Sequence, residues 1–350
     1  MKIALYGMPG AGKTHILERT TFMEVISGSQ LLRQYVPDFD QRDETGRCEA
    51  RKDLAVLLAS KSDFIMDGHY AFGNEIAFTE DDGQLYDVFL YLYIDPATLG
   101  SRMAASTKNA RYLQYSIEEW QDFEIAQLRK YCHKTGKDFY VIDNPPYNVF
   151  KDISLVVGFI HTIYNGFSCL SFAKSCAAEI LRQSEGNTIT LLDGDKTLTI
   201  EDSSGAVLGY KTNLYDGNFY TGYQSWKQAK DFRDIVCPQI TYPPVHLRED
   251  ILCRINGPAF ILTSGHIDIW KNLSENLRIP YFCGPEMSAD TKLFITKELQ
   301  KNGKRVIAYG DSLNDYYMLK QANQGYLISK EDGTVSRSLR GMDLEGLTIV

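Results

Sequence analysis

Residues Ile189-Thr190-Leu191-Leu192 are apolar or β-prone, and they run directly into Asp193-Gly194-Asp195-Lys196-Thr197. The run predicts a buried strand with two aspartates leaving its carboxyl end, one residue apart. Alternate strand residues face the same side, so the two carboxylates are expected to crowd together. Like charges that close persist only where a cation or a chemical task holds them. An Asp-Gly turn is the simpler alternative, and segments elsewhere in the chain decide between the two.

A second constraint lies at the amino end. Lys2 to Tyr6 predicts a buried strand, followed at once by Gly7-Met8-Pro9-Gly10-Ala11-Gly12-Lys13-Thr14 and then by a helix from His15 to Arg19. This is a full G-x-x-x-x-G-K-T between a strand and a helix. Glycines at that place let backbone N–H groups turn inward around phosphate oxygens, and the helix amino end adds positive potential. Gly7, Gly10, Ala11, Gly12, Lys13 and Thr14 are therefore the expected nucleotide contacts, with Lys13 on the β- and γ-phosphates and the Thr14 hydroxyl on magnesium.

At 350 residues the chain is comfortable for two domains, each with its own core. Its 44% hydrophobic and 23% charged content are those of a soluble globular protein. A formal net charge of −8 argues against a generally basic surface, though it leaves room for a local basic groove. The seven cysteines are scattered without C-x-x-C spacing, which reads as reduced thiols. Lys2 leads into a strand and not an apolar leader, and Ile153 to Ile160 is too short to span a bilayer. A cytoplasmic location and no membrane partner are expected.

Further along the first half, Phe22 to Arg33 contains Ile26-Ser27-Gly28-Ser29-Gln30-Leu31-Leu32-Arg33. With the glycine loop, this segment resembles the adenylate kinase-like nucleoside monophosphate kinases. The resemblance implies that Ser27 and Arg33 contact an acceptor nucleotide; Ser29 stands where that family carries aspartate, so the acceptor need not be AMP. An amphipathic helix is expected from Asp53 to Ser60. The strand Phe64 to Met66 ends in Asp67-Gly68-His69-Tyr70, which suits Asp67 as a magnesium-shell residue or as a base toward an acceptor hydroxyl. His69 reads first as structural, and Glu80-Asp81-Asp82-Gly83 as a solvated turn. Val88 to Ile94 is a strand, followed by Asp95-Pro96 and a helix carrying Arg102. Arg102 and Arg111 resemble the helix and lid arginines of the same kinases, where guanidinium groups match charge spread over phosphoryl oxygens. Phe139 to Ile142 gives the last strand of this half, and Phe150 to Tyr164 and Leu170 to Gln183 predict two helices.

In the second half, the strand Ala259 to Leu262 ends in Thr263-Ser264-Gly265, and Arg305 to Gly310 ends in Asp311-Ser312-Leu313-Asn314-Asp315, with Lys292 between them. The order D-x-D-x-T, strand-S, Lys, G-D-S-x-x-D resembles the haloacid dehalogenase-like phosphatases, the phosphoserine phosphatase branch in particular. The resemblance implies that Asp193 attacks phosphorus and Asp195 serves as acid and base. Ser264 and Lys292 would bind phosphoryl oxygens, and Thr197 would fix the loop. Asp193, Asp311 and the Asp195 carbonyl would hold magnesium, with Asp315 supporting that shell. Lys196 departs from the glycine usual there, and Lys297 is a weaker alternative to Lys292. The stretch after Thr199 is too long for a simple crossover and suggests an inserted cap. Its aromatics Tyr210, Tyr215, Phe219, Tyr220, Tyr223, Trp226 and Phe232 read as a small core or as a stacking surface for a substrate ring.

The expected fold class is α/β, with two three-layer α/β/α domains on mainly parallel sheets. Residues 1–147 form the first, 148–187 a helical connection and 188–350 the second, with the cap at about 200–254. The expected activity is an ATP-dependent, magnesium-dependent kinase acting on a nucleotide-like acceptor, joined to a phosphomonoesterase. Two alternatives stand beside it. One is a polynucleotide 5′-kinase/3′-phosphatase acting on a nucleic-acid end, whose layout is similar. The other is a phosphatase governed by an ATP-sensing first domain. The oligomeric state is not legible.

Overall fold

The computed structural model describes residues 1–73, 75–144, 153–208, 219–233 and 245–350. The expected domain boundary at 147, the first residues of the helix expected from Phe150, and Tyr210 and Tyr215 lie outside the described residues. The chain divides into two compact units, Met1–Phe167 and Ser168–Val350. The expected helical connection is thereby shared out. Helix Ile153–Tyr164 belongs to the first unit and Cys169–Gln183 to the second. Each buries an apolar stripe in its own unit: Phe159 meets Tyr140 at 5.4 Å between ring centroids, and Ala173, Cys176, Ala177 and Ile180 join a core with Ile295 and Leu299.

In the first unit, β1 (Lys2–Tyr6), β2 (Glu24–Ser27), β3 (Phe64–Asp67), the short β4 (Ala71–Phe72) and β5 (Glu75–Ile76), β6 (Val88–Ile94) and β7 (Asp138–Asn144) follow in chain order. The main sheet runs β2-β3-β1-β6-β7, every pair parallel, while β4 and β5 form an antiparallel hairpin. Six of the seven residues of β6 are buried, as expected of a strand covered on both faces. The register sets Leu5 beside Asp67 and Ser27 beside Asp67, so the loop after β1 and those two residues share the carboxyl edge.

Three helices here differ from expectation. The one after the glycine loop spans Lys13–Leu17, starting earlier because Gly12, at φ 96°, turns the chain into it. Helix Glu44–Ala59 starts well before Asp53, since the Asp43 side chain accepts from the Gly46 N–H at 2.8 Å and caps it. Glu80 to Gly83 is no solvated turn. It opens helix Glu80–Leu85, nucleated by a reciprocal capping box between Thr79 and Asp82.

The second unit holds β8 (Thr188–Leu192), β9 (Ala259–Thr263), β10 (Tyr281–Cys283), β11 (Arg305–Gly310), β12 (Gln324–Leu327) and β13 (Thr348–Ile349). Their order is β10-β9-β8-β11-β12-β13, all parallel. Strand order reverses between β8 and β11, and the crevice outside the carboxyl ends at such a switch point is where open α/β sheets take ligands. Asp193 follows β8 and Asp311 follows β11. The described part of the expected cap contains helices Ser203–Leu208 and Gly222–Arg233. Its described aromatics Phe219, Tyr220, Tyr223, Trp226 and Phe232 are all buried, Tyr223 and Trp226 stacking at 6.1 Å. Tyr220 joins the core beside the sheet and Phe232 meets the His266 ring; of the five, Tyr220 alone lines the cavity described next.

Candidate active sites

A cavity of 1110 Å³ opens at the carboxyl edge of the second sheet, with Asp193, Asp195, Ser264, Asp311 and Asn314 in its wall. Asp193 is placed by the β8–β11 ladder, its N–H donating to the Tyr309 carbonyl at 2.9 Å. Its carboxylate accepts from Lys292 Nζ at 2.5 Å and from the Thr197 hydroxyl at 3.2 Å. Lys292, fully buried on helix Ala289–Lys301, donates its other contact to Asp315 at 2.7 Å. Lys292 and not Lys297 makes this bridge. The second oxygen of Asp315 accepts from the N–H groups of Asp311 and Ser312, each at 3.2 Å, and from the Ser312 hydroxyl at 3.1 Å. That carboxylate thus builds the start of helix Leu313–Gln321 as well as facing the site. Gly310 is required here, because a Cβ on it would come within 2.3 Å of Asp315 Cβ.

Asp195 is held differently. One oxygen accepts from the Ser203 N–H at 2.6 Å, the other from the indole N–H of Trp270 at 3.4 Å. Trp270 is fully buried and fills the space beside Gly194 and Gly265, where a Cβ would meet it at 2.5 and 2.4 Å. Burial, then the charge of Asp202, push the Asp195 carboxyl up to about 6. Ser264 donates to the Met287 carbonyl at 2.9 Å and accepts from the Asn314 amide at 3.1 Å. Asn314, Ser203 and Trp270 were not foreseen. Asn314 was legible, lying within Asp311 to Asp315; the other two reach Asp195 only through tertiary placement.

Oxygens of Asp193, Asp311 and Asp315 lie within 4.8 Å of one another. Three carboxylates face one buried ammonium, which leaves an excess of negative charge. Burial and the neighbouring carboxylates accordingly drive Asp193 up to about 7 and Asp311 well above the carboxylate range. For Lys292, burial alone would lower its pKa, but Asp193 and Asp315 outweigh it and raise it. An all-oxygen donor set with a charge deficit fits a hard divalent cation such as Mg2+. The Asp195 carboxylate, turned to Ser203 and Trp270, is not in this cluster, which leaves its main-chain carbonyl as the expected contribution.

In the first unit the glycine loop wraps Lys13. Gly7, Gly10 and Gly12 all have positive φ, and a Cβ on Gly7 would approach the Leu92 carbonyl to 2.9 Å. The buried Lys13 ammonium donates to the carbonyl of Gly7 and to that of Met8 at 3.3 Å, with His69 Nδ1 at 3.5 Å. Burial pulls its pKa down to about 8 against the opposing charges of Asp67 and Glu124. Thr14 stands exposed in the first helical turn. Asp67 accepts from the Gly28 N–H at 2.9 Å, at the start of helix Gly28–Tyr35, where Ser27 stands at the N-cap position without a side-chain cap bond. Arg102 reaches the Ala11 carbonyl at 3.5 Å, so it does border the loop. Arg33 pairs with Asp40 at 2.7 Å on an exposed face, and Arg111 lies over the Tyr112 ring at 4.8 Å. Sequence reading also missed Glu124, fully buried, which accepts from Tyr91 at 2.7 Å, Trp120 at 3.0 Å and the Ala71 N–H at 2.9 Å, and so ties helix Ile117–Thr135 to the segment after His69. Among the described residues no single helix is long and apolar enough to cross a membrane.

No family model matches the chain, and no curated protein does. Among solved structures, shikimate kinase from Acinetobacter baumannii in complex with shikimate is 16% identical, covering 48% of this chain and 95% of its own, at a TM-score of 0.35. Deoxyadenosine kinase from M. mycoides is also 16% identical, over 48% of this chain and all of its own, at 0.29. A phospho-aspartyl intermediate analogue of phosphoserine phosphatase is 15% identical, over 42% of this chain and 89% of its own, at 0.31. The chain is similar to these in parts, at scores and identities that transfer no activity to it.

Proposed function

We propose that the second unit is a Mg2+-dependent phosphomonoesterase working through Asp193. The observation that carries this is the buried Asp193 carboxylate, held at 2.5 Å by Lys292 with oxygens of Asp311 and Asp315 within 4.8 Å. An Asp193 oxygen attacks phosphorus; the O–P bond forms as the ester P–O bond breaks, leaving an aspartyl phosphate. Asp195, whose carboxyl is raised by burial to about 6, gives a proton to the departing oxygen from its protonated form and as carboxylate takes one from the water that hydrolyses the aspartyl phosphate. Lys292 and Ser264 steady the phosphoryl oxygens, and Thr197 keeps Asp193 in its rotamer. Asp193, Asp311 and the Asp195 carbonyl would hold Mg2+, which supplies the positive charge that lets two anions meet.

The first unit acts, on the same reading, as an ATP-dependent kinase for a nucleotide-like acceptor. Its support is the glycine loop closed around Lys13, with Arg102 on the loop's Ala11 carbonyl and Asp67 at the adjacent strand end. ATP and Mg2+ are the implied cofactors. Incubation with labelled ATP and a panel of nucleosides, nucleotides and a 5′-hydroxyl oligonucleotide tests it. Label on a small nucleotide supports this reading, label on the oligonucleotide alone favours end repair, and label on none contradicts kinase activity.

A further inference from the structure

Lys196 is one of two non-glycine residues with positive φ among the described residues, at 62°; the other, Arg278, ends a helix. A side chain in the left-handed region carries steric strain that glycine avoids. The turn itself is made by main-chain bonds, Lys196 N–H to the Glu201 carbonyl at 3.3 Å and Thr197 N–H to the Gly194 carbonyl at 3.2 Å. Neither needs the lysine side chain, which instead lines the same cavity as Asp193, Asp195 and Asp311.

There the Lys196 ammonium lies 3.3 Å from Asp202, in a pair 54% and 36% exposed. An exposed pair of this kind contributes little to stability and exchanges readily for another anion. Lys330 and Arg337 line the cavity too, both exposed; among the described residues neither forms an ion pair, although the Lys330 charge acts on Asp332. The fourth cation of the wall, Arg248, is taken by Asp250 at 3.2 Å and the Ser329 carbonyl at 3.3 Å. Of the acids away from the reaction centre, Glu201 is bound by His246, Asp202 by Lys196 and Asp332 by Thr334; Glu331 has no partner recorded. The wall therefore offers three cations, Lys196 shared among Asp202, Asp311 and Asp195, and Lys330 and Arg337 outside any ion pair among the described residues, beside a centre that already takes one phosphoryl group.

We infer that Lys196, with Lys330 and Arg337, forms a subsite for a second anionic group, and that the preferred substrate is a phosphomonoester carrying a second phosphate. The inference rests on the phosphatase reading of Asp193. Two compounds that differ only in that group, a nucleoside 3′,5′-bisphosphate and the corresponding 3′-monophosphate, test it. The wild type should hydrolyse the bisphosphate with kcat/KM about tenfold higher, the size of one charge-assisted contact. Lys196→Gly should bring the two rates together while its thermal midpoint holds or rises, and Lys196→Arg should keep the preference. Calorimetry in EDTA supplies a readout without turnover: the bisphosphate should bind the wild type about tenfold tighter than the monophosphate, and the glycine variant should lose the difference. A rate ratio and affinity difference unchanged in Lys196→Gly overturn the subsite. So does a ratio that falls only together with the thermal midpoint. Absence of hydrolysis of any phosphomonoester by the wild type overturns the phosphatase reading, and this inference with it.

Discussion

The ammonium of Lys292 and the carboxylate of Asp193 lie 2.5 Å apart, the lysine fully buried and the aspartate nearly so. The same ammonium is 2.7 Å from Asp315, so one cation stabilises two buried anions. Lys292→Ala leaves both uncompensated. It should cost the second unit about 3–5 kcal/mol in urea unfolding and lower phosphatase kcat about a hundredfold or more. Stability within about 1 kcal/mol of wild type would show that the carboxylates are satisfied without it.

Asp311 makes the opposite prediction in the two metal states. Without a cation its ionised form is disfavoured by burial and by the charges of Asp315 and Asp193. Asp311→Asn should therefore raise the thermal midpoint in EDTA, by the equivalent of about 1 kcal/mol. In saturating Mg2+ the wild type should gain about 2–3 kcal/mol, and the variant little. A variant stabilised by Mg2+ as strongly as the wild type would remove Asp311 from the cation site.

Asp82 gives the first unit a pH dependence of definite sign. Burial raises its carboxyl from the ordinary 3.8 to about 6, against the hydrogen bonds from Thr79 that lower it. A carboxyl with a raised folded pKa binds its proton more tightly folded than unfolded. Its contribution to stability is therefore greatest below about pH 4 and is lost as pH climbs to about 6. Asp82→Asn, which keeps an acceptor for Thr79, should flatten that part of the urea-midpoint profile by about 1–2 kcal/mol relative to wild type. Parallel wild-type and variant profiles between pH 4 and 6 would contradict it.

Lys13→Ala should reduce transfer from labelled ATP by about a thousandfold. Arg102→Ala, whose guanidinium reaches the loop at 3.5 Å, should cost less, about tenfold. Phosphatase rates that change in Lys13→Ala, with no acceptor labelled by the wild type, would favour a regulatory first unit.

The second centre was legible because its residues stand at strand ends, where a short apolar run followed by an acid marks both the strand and the edge. Asp193 and Asp311 could be placed that way, Ser264 by the apolar run before it, and Lys292 by its order between Ser264 and Asp311. The partners of Asp195 could not: Trp270 and Ser203 reach it from an amphipathic helix and a serine pair that carry no motif. In the first unit, Gly7 to Thr14 was legible for the same reason as Asp193, whereas Arg33 and Arg111 took partners, Asp40 and Tyr112, that local sequence does not rank. Glu124 was hidden because a glutamate in a mixed helix reads as solvated, and burial with three donors is a tertiary fact. Thr79 was the overlooked sign that Glu80 begins a helix.

Acid-quenched single turnover with a radiolabelled phosphomonoester in Mg2+ bears most directly on Asp193 as nucleophile. Wild-type protein should carry alkali-labile label on the peptide containing Asp193, formed and lost at rates compatible with turnover, and Asp193→Asn should carry none. Steady turnover by the wild type with no protein-bound label, or label that persists in Asp193→Asn, would contradict it.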